Sequence, residues 1–313
     1  VSSRRQRQMC IRDSFRPMST SSGLIAIVGK PNVGKSTLLN YILGRKVSIT
    51  SRKSQTTRNN ITGIKTLEKH QMVFIDTPGI HTTSKKTLNK ILNRSANMTI
   101  EDADVILFLV QRDSINELDI KIMHSLQTVK SPVICVINKL DQVSSKDKLL
   151  PLIKQLKDHL NFVEIIPVSA KTGQKVGELE SLICQYLPQN PFFYSEKDIV
   201  QISENFYVAE IVREKIIRCL GDELPHETFV QVSKIDKTQK TIGVFVEIFV
   251  AKQSQKGIVV GKGGATLKKI GQQARIDLEE FFGQKVFLES WVKVKKNWNN
   301  DQNFIASLGI GSS

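Results

Sequence analysis

"GKPNVGKS", Gly29 to Ser36, is the most informative stretch of this 313-residue chain. It fits the pattern G-x-x-x-x-G-K-[ST], in which glycines let the backbone N–H groups approach phosphate oxygens. The apolar run "LIAIVG" precedes it and predicts a buried strand, and "GKSTLLNYIL" predicts the helix that follows. This order predicts a nucleotide site in which Lys35 neutralises the β- and γ-phosphates and the Ser36 hydroxyl holds Mg²⁺.

Two later motifs predict that the nucleotide carries guanine. "NKLD", residues 138–141, follows a buried strand, and "SAK", residues 169–171, follows the next one. The Asp141 carboxylate can accept hydrogen bonds from guanine N1–H and N2–H₂, a donor pair that adenine lacks. The Ala170 N–H can meet guanine O6. Because these motifs follow the phosphate loop in order and at strand ends, the sequence predicts GTP and GDP as ligands rather than ATP.

Two further segments predict elements that respond to the γ-phosphate. In "DTPG", Asp76 is placed to reach the Mg²⁺ shell through water, and the Gly79 N–H is placed to sense the γ-phosphate. "SQTTRNN", residues 54–60, is a polar loop in which Thr57, with Thr56 as the alternative, closes over Mg²⁺ when GTP is bound. Such segments are typical order–disorder elements of a switch.

These motifs define three sets of predicted site residues. The catalytic set is Lys35, Thr57 and Gly79. The metal-binding set is Ser36, Thr57 and Asp76. The nucleotide-binding set is Gly29, Asn32, Val33, Gly34, Lys35, Ser36, Thr37, Asp76, Gly79, Asn138, Lys139, Asp141, Ser169, Ala170 and Lys171.

From Leu24 to about Leu187 the chain resembles the GTPase superfamily, with its five signature motifs in order. Where many members place a water-orienting glutamine, this chain has Ile80, so it resembles the branch with a hydrophobic substitution. Asn32 matches the position that binds K⁺ in some relatives of that branch. Two roles stay open for it, binding K⁺ or only shaping the loop. We expect slow intrinsic hydrolysis, on the order of 10⁻⁴ to 10⁻² s⁻¹.

Hydropathy patterning predicts two domains. Continuous β-branched strands such as "VILFLV" and "PVICVINK" alternate with helical stretches, which predicts an α/β domain with a mostly parallel, doubly wound sheet. Past "LPQNPFFYSEKD" the pattern becomes α-β-β-α-α-β, a smaller α+β domain. The predicted divisions are residues 1–17, a non-native or disordered leader; 18–188, the GTPase domain; 189–200, a linker; and 201–313, the second domain with its tail.

A second glycine–lysine loop predicts a different phosphate ligand. "GIVVGKGGATLKKIG" contains G-x-x-G, residues 261–264, but lacks the wrap and the Lys-Ser pair of a nucleotide loop. With the α-β-β-α-α-β order it resembles a type II KH domain, in which such a turn holds the backbone of single-stranded RNA. The predicted RNA-binding residues are Gly261, Lys262, Gly263, Gly264, Lys268 and Lys269. Four apolar residues are expected to pack the core or to line the RNA groove: Ile258, Val259, Leu267 and Ile270. Trp291 and Trp298 are expected to be core and tail anchors.

Net charge indicates what kind of partner the protein binds, and the cysteine spacing and the length of the apolar runs bear on zinc and membrane binding. The formal net charge is +15; residues 1–17 hold five Arg and one Asp, so removing them leaves 15 − 4 = +11. Residues 251–300 hold ten Lys and Arg and four acids, a net 10 − 4 = +6. These values predict a polyanionic partner. The four cysteines form no CxxC pair, which favours reduced thiols over a zinc site. The apolar runs are too short to cross a bilayer.

The two halves together resemble the Era family of ribosome-assembly GTPases, through "GKPNVGKSTLLN", "SRKSQTTR", "FIDTPGI", "NKLD", "SAK", "REKIIRCLGDELPH" and "IVVGKGGATLKKIG". The resemblance implies binding near the 3′ end of small-subunit (16S) ribosomal RNA, control of that binding by GTP, and action on an immature 30S-type subunit, with no DNA partner. It also implies a bacterial cytoplasmic protein with at most weak association with the inner membrane. The alternatives are a constitutive KH-type RNA-binding protein with a scaffold GTPase domain, and a peripheral membrane switch.

Overall fold

The computed structural model describes residues 20–49, 61–76, 87–143, 145–201, 203–220, 228–238, 240–296, 298–301 and 305. Within these ranges the first domain contains seven strands: β1 (Ser21–Val28), β2 (Ile61–Leu67), β3 (His70–Asp76), β4 (Val105–Gln111), β5 (Val133–Asn138), β6 (Glu164–Pro167) and β7 (Val200–Gln201). Its helices are α1 (Lys35–Leu43), α2 (Thr87–Asp102), α3 (Glu117–Leu126), α4 (Leu150–His159) and α5 (Val176–Tyr186). None of the helices in the described ranges is both long enough and apolar enough to cross a membrane.

The seven strands form one sheet in the order β6-β5-β4-β1-β3-β2-β7. β6, β5, β4, β1 and β3 run parallel, and β2 pairs antiparallel with β3. Along β1, Ile25 and Ile27 belong to one apolar core, and Ala26 and Val28 belong to the other. Helices therefore cover both faces, which explains the continuous apolar runs and confirms the predicted doubly wound sheet.

The chain between the domains packs against this sheet. Ser22 Oγ donates to the Pro191 carbonyl at 2.6 Å, and the Gln71 side chain exchanges two hydrogen bonds of 2.9 Å with the Tyr194 backbone. The two-residue strand β7 then pairs with β2. The sequence predicted only a polar linker here, because a strand of two residues is too short to show a periodicity. The predicted domain boundaries remain predictions, but this connection is held in place by several contacts.

The second domain follows the predicted α-β-β-α-α-β order. Its elements are α6 (Glu204–Cys219), β8 (Thr228–Lys237), β9 (Thr241–Val250), α7 (Gln253–Val260), α8 (Ala265–Phe282) and β10 (Lys285–Val294). β8 pairs antiparallel with β9, and β10 pairs parallel with β9. One face of the sheet packs against the helices, as shown by Val244 and Val246 of β9, which share a core with Val212 of α6 and Ile270 of α8.

An ion cluster joins the two domains. Lys46, shortly after α1, places its Nζ 2.5 Å from Glu214 Oε2 of α6 and 2.7 Å from Asp277 Oδ2 of α8. Lys215 donates to the same Asp277 oxygen at 2.6 Å, and Arg218 lies 2.5 Å from Glu214. Burial alone would lower the pKa of Lys46, but its bonds to Asp277 and Glu214 raise that pKa above its usual value. We call Lys46, Glu214, Lys215, Arg218 and Asp277 the junction cluster.

Replacing Lys46 with methionine is expected to lower the free energy of unfolding by about 1–3 kcal/mol. The Glu214 side chain is fully buried, and removing one partner of a buried carboxylate leaves its charge incompletely compensated. Because Arg218 and Lys215 still compensate the charge of Glu214, the loss of unfolding free energy should be smaller than for a carboxylate without any partner. Urea denaturation measures the effect. Lys293→Met is the control, because it breaks a 2.5 Å pair with Glu247 that is more exposed, and we expect less than about 1 kcal/mol there. Equal losses of unfolding free energy in the two variants would show that the junction cluster stabilises the protein no more than an exposed ion pair does.

The two tryptophans, predicted as core and tail anchors, differ in exposure in the structure. Trp298 is 0% exposed and packs with Leu92 of α2, Phe229 of β8 and Ile305. It is therefore the tail anchor that was predicted, and it joins the tail to both domains. Trp291 is 42% exposed and stacks on Phe245, with ring centroids 6.1 Å apart. The prediction of a core position for Trp291 was wrong, because β10 turns this side chain to the face of the sheet opposite the helices.

Candidate functional site

The phosphate loop joins β1 to α1. Gly34 has φ 104°, and a Cβ atom at this position would lie 2.2 Å from Asn138 Nδ2, so only glycine fits. The Lys35 side chain is buried, and its Nζ donates to the carbonyls of Gly29 at 2.9 Å and Lys30 at 3.1 Å. The ammonium group is thus held against the loop whose backbone was predicted to surround phosphate.

Burial changes the acidity of Lys35. It lowers the pKa to about 8, and the negative charge of Asp76 opposes this shift only in part. Phosphate favours the protonated ammonium, so nucleotide binding will raise this pKa. At neutral pH most molecules therefore carry a protonated Lys35, and this proton is lost as the pH rises slightly above neutral.

Affinity for GDP is expected to be constant below about pH 8 and to fall above it. The free protein carries the charged form of Lys35 only below its pKa of about 8. The affinity loss is therefore about tenfold at pH 9, where roughly one molecule in ten keeps the proton. Titration with a fluorescent GDP at pH 7, 8 and 9 measures it. Lys35→Arg is the control, because a guanidinium stays charged over this pH range. Any titration of the guanine base is the same for both proteins, so it does not contribute to the difference between them. Parallel pH profiles would exclude Lys35 as the titrating group.

A pair of oxygen ligands lies beside the loop. Ser36 Oγ donates to Asp76 Oδ2 at 2.7 Å, so the end of β3 meets the start of α1. A hydroxyl and a carboxylate are ligands that Mg²⁺ prefers, which means that these residues fit the predicted ion. The other predicted switch residues, Thr57, its alternative Thr56, Gly79 and Ile80, lie outside the described residues.

Sequence reasoning missed two residues that support this pair. Ser48 Oγ also donates to Asp76 Oδ2, at 2.8 Å. Asn40 of α1 holds the neighbouring backbone, because its Oδ1 accepts from the N–H groups of Val47 and Ser48 at 2.8 Å, and its Nδ2 donates to the Ser48 carbonyl at 2.7 Å. A single serine in "VSIT" carries no motif, so nothing in the sequence pointed to these contacts.

The base-recognition motifs meet at one edge of the sheet. Asn138, at the end of β5, donates through Nδ2 to the Val33 carbonyl at 2.7 Å, and its Oδ1 accepts from the Ala170 N–H at 3.0 Å. Asn138 therefore joins the phosphate loop to both later motifs. Ser169 Oγ donates to Asp141 Oδ1 at 2.6 Å and orients that exposed carboxylate.

The remaining predicted nucleotide residues lie around the same edge. Lys139 has a left-handed backbone with φ 69°, and burial, followed by repulsion from Arg112, lowers the pKa of its ammonium. Asn32 is exposed with φ 65°, and its carbonyl accepts from Gln111. Thr37 lies in the first turn of α1, and Lys171 is exposed beyond β6. The structure thus brings together the described members of the predicted site.

The second glycine loop forms an open turn between α7 and α8. Gly263 and Gly264 have φ values of 57° and 79°, and a Cβ atom at either would meet nothing within 4 Å. At these two positions backbone conformation, rather than crowding, therefore requires glycine, and this part of the turn is accessible to a ligand. Lys262 and Lys268 are exposed. Lys269 is also exposed, but it lies between α8 and α6.

The four apolar residues around this turn separate into two groups. Val259 and Ile270 are 0% exposed and belong to the core of the second domain, against which the half-buried Leu267 packs. Ile258 is 53% exposed. Of the two roles left open by the sequence, core packing fits the first three residues, and Ile258 stays available to a groove.

The fold and the site together define a P-loop GTPase domain joined to a KH domain. Sequence profiles agree, since the 50S ribosome-binding GTPase family matches residues 24–139 and the KH domain family matches residues 223–299. GTPase Era of Coxiella burnetii is 44% identical over 291 residues, which cover 93% of this chain and 98% of that protein. The chain therefore belongs to the Era family and is a GTPase.

Other relatives agree over the same length. GTPase Era of Pseudomonas fluorescens is 44% identical over 293 residues, 94% of this chain and 98% of that protein. The crystal structure of a variant of Aquifex aeolicus Era bound to GDP and AlF₄⁻ superposes with a TM-score of 0.90 at 38% identity, covering 93% of this chain and 99% of that one. A structure of Era with MgGDPNP and nucleotides 1506–1542 of 16S ribosomal RNA has the same TM-score, 0.90, identity and coverage.

Proposed function

We propose that this protein is a GTP-dependent switch that binds the 3′-end region of 16S ribosomal RNA and assists assembly of the small ribosomal subunit. The observation that carries the switch is a continuous set of contacts from the nucleotide site to the KH domain. Asp76 contacts Ser48, Asn40 fixes residues 47–48, and Lys46, two residues before Ser48, reaches Glu214 and Asp277. A change at Asp76 therefore has a short route to α6 and α8.

The RNA half of the proposal rests on the KH domain and on one relative. In the turn at residues 261–264, Lys262 and Gly263 are exposed between two helices, as a G-x-x-G contact with RNA backbone requires. A solved Era structure, 38% identical, contains nucleotides 1506–1542 of 16S ribosomal RNA. The net charge of +6 over residues 251–300 suits a polyanion. In this proposal Gly261, Lys262, Gly263, Gly264 and Lys268 contact the RNA backbone.

The nucleotide half assigns roles to this chain's own residues. Lys35 holds the β- and γ-phosphates, and Asp141 and Ala170 recognise guanine. Ser36 and Asp76, with Thr57, hold Mg²⁺, which supplies positive charge to the phosphates when it is bound. The Gly79 N–H senses the γ-phosphate. Because Ile80 cannot orient water, hydrolysis depends on these charges and is expected to be slow.

A potassium ion at Asn32 is a finer part of the proposal. A monovalent cation beside the phosphates can stabilise the charge that develops during hydrolysis. Initial rates of phosphate release in KCl and in NaCl, each at equal ionic strength, test it. If Asn32 binds K⁺, KCl increases the rate in the natural protein and not in Asn32→Ala. If Asn32 only shapes the loop, the rates in the two salts are equal.

Binding of a 12-nucleotide RNA that copies the 3′ end of 16S ribosomal RNA tests the switch. It is measured at one salt concentration with GDPNP, GDP, ATP or no nucleotide. We expect GDPNP alone to tighten binding by about 5- to 100-fold, the usual range for coupling between two sites. Lys262→Glu should weaken RNA binding in every state and leave GTP hydrolysis unchanged. Equal RNA affinity in all four states would support the constitutive alternative and contradict the switch.

Cytoplasmic location, contact with a 30S-type subunit and weak contact with the inner membrane are the remaining parts of the proposal. The basic excess suits both ribosomal RNA and anionic lipid. Flotation with phosphatidylglycerol liposomes in physiological salt distinguishes binding to lipid from binding to RNA. We expect the protein to stay with RNA in the fraction that does not float. Complete flotation would favour the membrane alternative.

A further inference from the structure

A pocket of about 400 Å³ opens between α6 and α8, away from the nucleotide site. Its lining includes Lys215, Arg218, Lys269, Gln273, Ile276 and Asp277. Three of these residues, Lys215, Arg218 and Asp277, form ion pairs in the junction cluster. The pocket therefore lies where the KH domain meets the GTPase domain, whereas the residues 261–264 turn lies at the start of α8.

The charges around this pocket do not cancel. Four cations, Lys46, Lys215, Arg218 and Lys269, stand against two carboxylates, Glu214 and Asp277, which leaves 4 − 2 = +2. Asp277 already accepts from both Lys46 and Lys215. Both bonds go to Oδ2, and the two ammonium groups outweigh the single charge of this carboxylate, so the excess positive charge attracts an anion.

Two donors are available on the α8 side of the pocket. Cys219 Sγ donates to Gln273 Oε1 at 3.7 Å, which leaves the Nε2 donor group of this amide for another partner. Lys269 forms no ion pair with any residue in the described ranges, and its side chain is exposed. An ammonium and an amide N–H₂ beside a guanidinium make a donor set that suits phosphate oxygens.

One aliphatic side chain, that of Ile276, also borders the pocket. Ile276 is 64% exposed beside these donors. A volume near 400 Å³ is in the range of small-ligand sites and accommodates a phosphate with its attached sugar and base. The combined chemistry is that of a nucleotide, with a charged end at the donors and an apolar side against Ile276.

We propose that this pocket binds one nucleotide of the RNA strand, as a contact separate from the groove at residues 261–264. The inference rests on the proposed RNA-binding function. α8 links the two places, since Gln273 lies nine residues after Gly264, about 14 Å along the helix axis at about 1.5 Å per residue. An RNA strand leaving the turn can follow the first half of α8, which carries Lys268 and Lys269, to the pocket. Lys269 then contacts RNA here rather than at the turn.

The test compares two RNA probes and two single-charge variants. A tetranucleotide occupies the groove alone, and a 12-nucleotide RNA copying the 16S 3′ end extends beyond it. For Lys269→Gln we expect about tenfold weaker binding of the 12-nucleotide RNA, a loss of about 0.7 from its salt-dependence slope, and tetranucleotide binding within about twofold of the natural protein. Lys285→Gln is the control, because Lys285 is 82% exposed on β10 outside the pocket; both probes should bind it within about twofold of the natural protein.

Each other outcome is decisive. If Lys269→Gln weakens binding of both probes equally, Lys269 contacts RNA in the groove and the pocket proposal is wrong. If it weakens binding of neither probe, the pocket proposal is also wrong. Saturable binding of AMP or inorganic phosphate that Lys269→Gln removes, without any effect on the RNA, would assign the pocket to a free nucleotide or phosphate. If RNA binding by the natural protein does not depend on the nucleotide, the proposed switch is wrong. The comparison of the two probes still tests the pocket in that case. Unchanged circular dichroism and GTP hydrolysis confirm that the variants fold.

Discussion

Asp141→Asn is expected to weaken GTP binding by about 100- to 1,000-fold and to strengthen binding of xanthosine triphosphate. The carboxylate follows β5, and Ser169 Oγ holds one of its oxygens at 2.6 Å. Guanine donates through N1–H and N2–H₂, and two hydrogen bonds to a charged acceptor contribute about 3–4 kcal/mol together. An asparagine amide replaces one acceptor with a donor, which suits the carbonyl that xanthine carries in place of the amino group.

Competition against a fluorescent GDP measures both affinities in the same experiment. Asp158→Asn is the matched control, because Asp158 is exposed on α4 and lies outside the predicted site. That variant should bind both nucleotides like the natural protein. If Asp141→Asn keeps its affinity for GTP within about threefold, less than 1 kcal/mol, another group recognises guanine and the assignment of Asp141 is wrong.

Trp298→Ala is expected to lower the free energy of unfolding by about 3–5 kcal/mol. The side chain is 0% exposed, and it packs between Leu92 of the first domain and Phe229 of the second. Its ring centroid lies 5.9 Å from that of Phe229. Removing it leaves a cavity at the domain junction, so both the tail and the contact between the domains lose their apolar support.

Urea denaturation followed by circular dichroism measures this loss, and Trp291→Ala provides the comparison. Trp291 is 42% exposed on the open face of the second sheet, so its removal should cost less than about 1.5 kcal/mol. A second, separate unfolding transition in Trp298→Ala would show that the domains have become independent. Equal losses in the two variants would mean that burial at the junction contributes no extra stability.

Much of the candidate site could be predicted because its motifs are local. Gly34 must be glycine where the backbone approaches Asn138, and Lys35 follows it directly at the start of α1. Continuous apolar strands indicated a sheet covered on both faces, and the carboxyl ends of parallel strands necessarily meet at one edge. The guanine motifs at the ends of β5 and β6 were therefore expected to lie beside the phosphate loop. In the structure Asn138 bonds directly to Val33 and Ala170.

Other features could not be predicted, because they depend on how distant segments pack. Ser48 and Asn40 have no motif, and their role is visible only where Asp76 meets them. The two tryptophans are only seven residues apart in the sequence, yet α2 and the tail cover one of them while the other stays on an open sheet face.

The sequence by itself determined the chemistry of each domain, since a phosphate loop, a guanine carboxylate and a G-x-x-G turn carry their requirements within a few residues. Only the tertiary structure decided how the domains are joined. Lys46 meets Glu214 across 168 residues of chain and Asp277 across 231. This chain has 45 lysines and arginines and 30 acids, and composition does not say which of them pair. That choice follows from packing, because the fold decides which charged groups are buried together, where their attraction is less screened and a charge without a partner is costly.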